Sequence, residues 1–253
     1  MKIFKKRYLF LLAATMFLFS SCLTTKSAGK SGKKPSGTTS ASGSGYQREY
    51  IDTSVWNLKT LDTARNVSYL TELEKDIILE TNMARSNPKK YSEMYIEPRL
   101  KKFEGKIYLA SYGRIKTKEG TKVVKETIRF MKKQKPVPIL APSQGLTKAA
   151  KDHAVSQSKT KQTGHTGTDG STPSKRIKRY GTYRSMGENI TYGVPTAREI
   201  VANLIIDDAV RDRGHRKNMY IKDFDCVGAS FVNQHKVYGS VCVMDYAGQY
   251  KEK

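Results

Sequence analysis

Between residues 165 and 218 the chain is interrupted three times by glycine beside an ionisable side chain. The runs are Gly164-His165-Thr166-Gly167-Thr168-Asp169-Gly170-Ser171, Met186-Gly187-Glu188-Asn189-Ile190 and Arg213-Gly214-His215-Arg216-Lys217-Asn218. Glycine permits positive φ and close backbone approach, so each run can present its His or Glu from a tight bend. The elements between them are short: a helix over 174–180, an extended segment over 188–192, and a helix ending near 208. Two imidazoles and a carboxylate that converge can hold a metal or move a proton.

The 253 residues suffice for one domain with extras and a real core. The hydrophobic fraction, 38%, is low for a globular protein, and the deficit is concentrated in an early polar segment and in lysine runs. The formal charge of +23 gives a surface that attracts polyanions, anionic envelope polymers among them, although a basic surface is more often simply solvated. No motif for specific nucleic-acid recognition is present.

Residues 1–7 form a basic n-region and residues 8–19 an apolar run too short to be a comfortable membrane span. Phe19-Ser20-Ser21-Cys22 follows and resembles a bacterial lipobox. Residues 1–22 are therefore expected to be a signal peptide ending at Cys22, with Cys22 acylated at the mature N-terminus. That places the protein outside the cytoplasm, membrane-anchored through its lipid. The alternative is an ordinary signal peptide with an incidental cysteine. Residues 23–69 begin as a Ser/Gly/Thr/Lys-rich tether. From 47 they become a possible packing arm carrying Val55, Trp56, Leu58 and Leu61.

Organised structure is expected from about residue 70. Thr71-Glu72-Leu73-Glu74 matches a capping box opening a helix over 72–85. Asn87-Pro88 restarts the chain into a short helix ending near Pro98. A third helix spans 120–133, stopped by Pro136 and Pro138. A fourth, capped by Ser143, runs to about 161 with His153 on its alanine-lined face, where a packed histidine is the expected state. Lys175, Arg176, Lys178 and Arg179 read as a wet helix face, and Thr196-Ala197-Arg198-Glu199 as a second capping box. Two β-rich runs, 226–232 and 236–246, flank Asn233-Gln234-His235 as a hairpin with His235 in the turn. Helices first and an antiparallel pair last indicate an α+β fold.

Together the motifs from His165 to Pro173, Arg176-Ile177, Tyr180-Gly181, Gly187 to Ile190 and Gly214 to Asn218 resemble the bacterial branch of the CAP superfamily. That superfamily also includes the cysteine-rich secretory and pathogenesis-related proteins. The resemblance implies a CAP-type α-β-α sandwich, with a small antiparallel sheet between helices, over residues 70–250. The stretch near 103–138 is longer than the family's usual connection and looks like an insertion. A family site of two histidines and two acids implies His165, Glu188 and His215 as three members, with Asp208 or Asp207 as the fourth.

The leading expectation is a lipid-anchored module whose His/Glu cleft binds a small-molecule, lipid or protein ligand, or a divalent metal. His165 and His215 are the candidate ligands for an ion such as zinc. The zinc-protease helix motif and the glycine-flanked serine elbow are both missing. A metal-assisted, peptidase-like hydrolase is one alternative, and a basic protein binding anionic polymers is another. After Cys22, the remaining cysteines are Cys226 and Cys242 on the two arms of the hairpin. A three-residue loop sets them opposite each other on one face, as a disulfide needs, whereas a four-residue loop turns them to opposite faces as free thiols.

Overall fold

The computed structural model describes residues 46–253. The expected signal peptide, the expected acylation site at Cys22 and residues 23–45 of the expected tether lie outside the described residues. From residue 46 the chain joins the core directly: Trp56, Leu61 and Ala64 are buried in the main cluster with the helix that follows them. Trp56 packs against both Tyr91 and Tyr95, which also touch each other.

The centre is a four-stranded sheet in the order β4-β7-β8-β6. It comprises β4 (Ala141–Pro142), β6 (Ser185–Tyr192), β7 (Cys226–His235) and β8 (Gly239–Gly248). β6, β7 and β8 pair antiparallel, while β4 adds a parallel edge to β7. Side chains on a strand alternate faces, and β8 divides accordingly. Cys242, Met244 and Tyr246 join the large core with α2 (Glu72–Ser86) and α7 (Ala197–Ile206). Val241, Val243 and Ala247 pack on the opposite face, against α5 (Gln144–Ser158) and α6 (Pro173–Tyr180). Helices thus cover both faces, giving an α-β-α sandwich of the α+β class. α5 rides directly on β7: a Cβ on Gly228 would run into the backbone of Leu146 and Thr147, so only glycine fits there.

Local chemistry sets the helix ends. Thr71 and Glu74 form the full reciprocal capping box at the start of α2. Thr196 caps α7 through the Glu199 amide, but the Glu199 carboxylate turns away to Arg99 and Tyr108, so the second box is only half made. At the other end of α2, fully buried Arg85 donates to the carbonyls of Pro138, Met219, Ile221 and Phe224. That one guanidinium ties the connection at Pro138 to the segment from Met219 to Phe224.

The stretch near 103–138, expected to be an insertion, is an ordered subassembly. Residues 103–116 form a three-stranded meander of β1 (Phe103–Glu104), β2 (Ile107–Ala110) and β3 (Gly113–Lys116). α4 (Thr121–Lys133) follows, burying Val123, Val124, Thr127, Ile128 and Met131. The helix expected to end near Pro98 instead continues through α3 (Pro88–Tyr91) and one π-type turn into a 3-10 helix, Glu97–Lys102. Proline is tolerated at a first helical turn, and Pro98 begins that new segment.

The hairpin corrects two expectations. Its turn is formed by Lys236, Val237 and Tyr238, not by residues 233–235, because β7 continues to His235 and pairs there with Gly239 after a bulge. His235 is buried, and its Nδ1 accepts hydrogen bonds from the amides of Val237 and Tyr238, so it builds the turn rather than decorating it. The register sets Cys226 opposite Ala247 and Cys242 opposite Phe231. Of the two alternatives the free thiols hold: the candidate Cys226–Cys242 disulfide is not formed. Burial, reinforced by Asp225, pushes the Cys226 thiol up to about 12, and burial raises Cys242 as well. Alkylation of the denatured, unreduced protein followed by peptide mapping should find both residues modified; a disulfide-linked peptide pair would contradict the register.

Candidate functional site

His165 follows α5 in a loop that the neighbouring elements hold at both ends. Gly164 sits at φ 95°, a conformation suited to glycine, and its carbonyl accepts from His153 Nε2 and Gln157 Nε2. Its amide donates to the Tyr192 hydroxyl. His153 is thus a packed, loop-holding histidine, fully buried, and burial lowers its pKa. At the far end, Arg176 Nη1 donates to the Ser171 carbonyl. Its Nη2 donates to the His165 carbonyl and to Glu188 Oε2, at 3.0 and 2.7 Å.

The His165 ring leans on the same carboxylate: its Nδ1 donates to Glu188 Oε1 at 2.7 Å. Burial alone would raise the Glu188 pKa, but the His165 hydrogen bond and the Arg176 charge outweigh it and hold the carboxyl below its usual range. Glu188 and Arg176 are each about 1% exposed at the side chain, so this ion pair is desolvated. Removing one partner of such a pair typically costs about 3–5 kcal/mol.

The second histidine has a parallel arrangement. α7 ends at Asp207, whose backbone is left-handed at φ 59°. This turns its carboxylate onto the start of α8 (Gly214–Met219), where Oδ1 accepts from His215 Nδ1 at 2.7 Å. Oδ2 accepts from the amides of His215 and Arg216. Asp207 is therefore the acid of the second pair. Asp208 instead accepts from the backbone amides of Lys118 and Glu119 and anchors the insertion, which takes it away from the fourth-acid role. Arg213 and Arg216 bind Glu119 and Glu126 of the insertion. The insertion thus grips the His215 segment from outside.

The two ring centroids are 6.4 Å apart. Asn189 and Asn218 join their supports: Asn189 donates to the His215 carbonyl, and Asn218 donates to the Glu188 carbonyl and to the Asn189 side chain. Beside His215 lies a cavity of about 390 Å³. Its walls come from Ile190 and Tyr192 of β6, Leu204 and Ile206 of α7, and Tyr112 and Ile115 of the insertion.

In each histidine Nδ1 is occupied by a carboxylate, which leaves Nε2 for a ligand. Carboxylates behind imidazoles in this way orient zinc-binding histidines elsewhere. Two imidazoles on one tetrahedral zinc put their ring centroids about 5 Å apart, so this pair would have to close by about 1 Å. Among the described residues no group of three or more His, Cys, Asp or Glu side chains is arranged to hold a metal. The residues fit an ion only as a two-imidazole site completed by ligands from outside the protein.

A four-stranded sheet between helix layers, with two carboxylate-backed histidines facing each other at one edge, defines a CAP-type sandwich. The sequence profile described as CAP, Cysteine-rich secretory protein family, matches residues 82–246, and the chain belongs to that family. A search of curated proteins gives no match. Among solved structures, an extracellular protein containing a SCP domain from Bacillus anthracis str. Ames is similar at 20% identity with a TM-score of 0.37, over 45% of this chain and 35% of that one. An outer surface protein from Borrelia burgdorferi is similar at 20% identity with a TM-score of 0.38, over 46% of this chain and 80% of that one. The chain spans about a third of the length of the Bacillus protein it matches.

Three supports of the site are not evident from the sequence pattern. Arg176 sits among bases that read as a solvated face, yet it is buried beside Ile177. A signal for it exists, since Pro173, Arg176, Ile177 and Tyr180 share one side of a helix. Arg216 and Asp245 carry no such signal. Asp245 lies on β8 directly opposite Glu188 and is fully buried, with neither oxygen hydrogen-bonded. Burial, then the Glu188 charge, push its carboxyl well above the usual range, so it is held as a neutral acid.

This makes a pH prediction with a definite sign. A carboxyl whose folded pKa is raised binds its proton more tightly in the folded state, so stability is lost as pH rises above the unfolded value of about 3.9. Asp245→Asn has nearly the same shape and no charge to bury. Its denaturation midpoint should gain on the wild type as pH rises above about 4. A constant gap between the two as pH rises would contradict a buried neutral Asp245.

Proposed function

We propose that the chain is an extracytoplasmic binding module, held at a membrane through acylated Cys22, whose cleft beside His215 takes a ligand. The observation that carries this reading is the pair of imidazoles 6.4 Å apart, each with Nδ1 engaged by a buried carboxylate, next to a cavity of about 390 Å³. The cavity offers apolar walls from Ile190, Leu204 and Ile206 and hydrogen-bonding groups from Tyr112, Tyr192 and Asn203. That lining suits a ligand with an apolar body and a polar head.

Binding is favoured over acyl transfer because a nucleophile needs a base within hydrogen-bond reach. Among the described residues no Ser, Thr or Cys side chain is bonded to either site imidazole. The Ser171 hydroxyl is buried against Arg176, and the Ser185 hydroxyl is buried without a partner. Metal-assisted hydrolysis is the second reading, supported by the carboxylate behind each Nδ1. An ion held by both Nε2 atoms would supply Lewis acidity or an activated water.

Calorimetric titration of the full chain with zinc tests the part that histidine chemistry plays. One equivalent should bind, and His165→Ala and His215→Ala should each weaken it at least about tenfold, no less than the loss of a hydrogen-bond partner behind a ligand usually costs. Binding that survives both substitutions would place the ion elsewhere and remove support for the metal-assisted reading.

A further inference from the structure

The insertion carries a second recognition surface, separate from the cleft. On α4, Lys122, Lys125, Arg129, Lys132 and Lys133 are all exposed. At 3.6 residues per turn these five positions fall within an arc of about 100° and extend about 16 Å along the helix. The opposite side of α4 is its buried apolar face. Among the described residues, Lys132 alone of the five is paired with a flanking acid. Glu119 and Glu126 turn inward to Arg213 and Arg216, and Glu97 engages Lys132. Lys122, Lys125, Arg129 and Lys133 form no ion pair among the described residues. Exposed Lys135 extends the stripe beyond the helix, and exposed Lys89 on neighbouring α3 widens it.

We infer that this face of α4 is a docking site for a linear anionic polysaccharide. The argument is charge complementarity in a particular shape. A straight row of cations on a rigid helix matches charges repeated along an extended polymer. A bilayer fits less well, because membrane docking at an interface usually adds an apolar wedge. The exposed large hydrophobic residues among those described are Tyr50, Val55, Val237 and Tyr238, and none lies on α3 or α4. Within the same stretch Glu119 and Glu126 face inward to hold the His215 segment, and the bases of α4 face outward.

The test uses the full chain and fluorescein-labelled dextran sulfate, with neutral dextran as the blank, at about 150 mM salt. The wild type should bind the sulfated polymer and not the neutral one, with affinity falling steeply as salt rises. Lys122, Lys125, Arg129 and Lys133, all changed to Glu, should weaken binding at least tenfold. A control with Lys59, Lys151, Lys161 and Lys175 changed to Glu alters net charge equally at exposed positions off the stripe, and should retain most of the affinity. A set of Gln substitutions at the four stripe positions, with an unchanged melting temperature, guards against loss through unfolding and should also weaken binding. Equal losses in the stripe and control variants would overturn the proposal in favour of diffuse charge. Tighter binding to vesicles rich in anionic phospholipid, or to duplex DNA, than to the polymer would overturn the choice of partner.

Discussion

The site depends on one buried guanidinium. Arg176 reaches from α6 to the carbonyls of His165 and Ser171 and to the Glu188 carboxylate, so a helix, a loop and an edge strand share one cation. Glu188 keeps its charge although buried because Arg176 and His165 both bond to it. A buried charge without such partners would cost several kcal/mol or lose its ionisation. Asp245 illustrates the other outcome: one position across the sheet, without a cation of its own, it is held neutral. Two carboxyls at paired positions thus take opposite protonation states, and the difference lies in who their neighbours are.

The second histidine is held by a different means. The segment from Asp207 to Arg213 has three non-glycine residues at positive φ, namely Asp207, Ala209 and Arg213. Such conformations cost of order 1–3 kcal/mol each and persist where the surroundings over-determine them. Here the surroundings are largely the insertion, through Asp208 on two of its amides and Glu119 and Glu126 on two arginines. A stretch that looks like an addition to the fold therefore shapes the end of the cleft, and also supplies part of its wall through Tyr112 and Ile115.

Much of this was legible in the sequence where periodicity or capping speaks locally. Thr71, Ser143 and Thr196 all cap the helices expected of them, and the three glycine-flanked runs do bring His165, Glu188 and His215 to one place. Register was not legible, because β7 runs on to His235 and the turn falls at Lys236 to Tyr238, which sets Cys226 opposite Ala247 and Cys242 opposite Phe231. The choice between Asp207 and Asp208 was not legible either. The two are adjacent and chemically identical, and only the left-handed turn at Asp207 directs one to His215 and the other to the insertion. Buried polar partners such as Asp245 are set by which strands pair, a property of the whole sheet.

The central claim is that both site histidines use Nδ1 on a carboxylate and keep Nε2 for a ligand. Long-range nitrogen–proton NMR of the imidazole rings at about pH 8, above the ordinary histidine titration range, reads this directly. The account predicts that His165 and His215 are both Nδ1–H tautomers, with Nε2 bare. Nε2–H tautomers at either ring would contradict it.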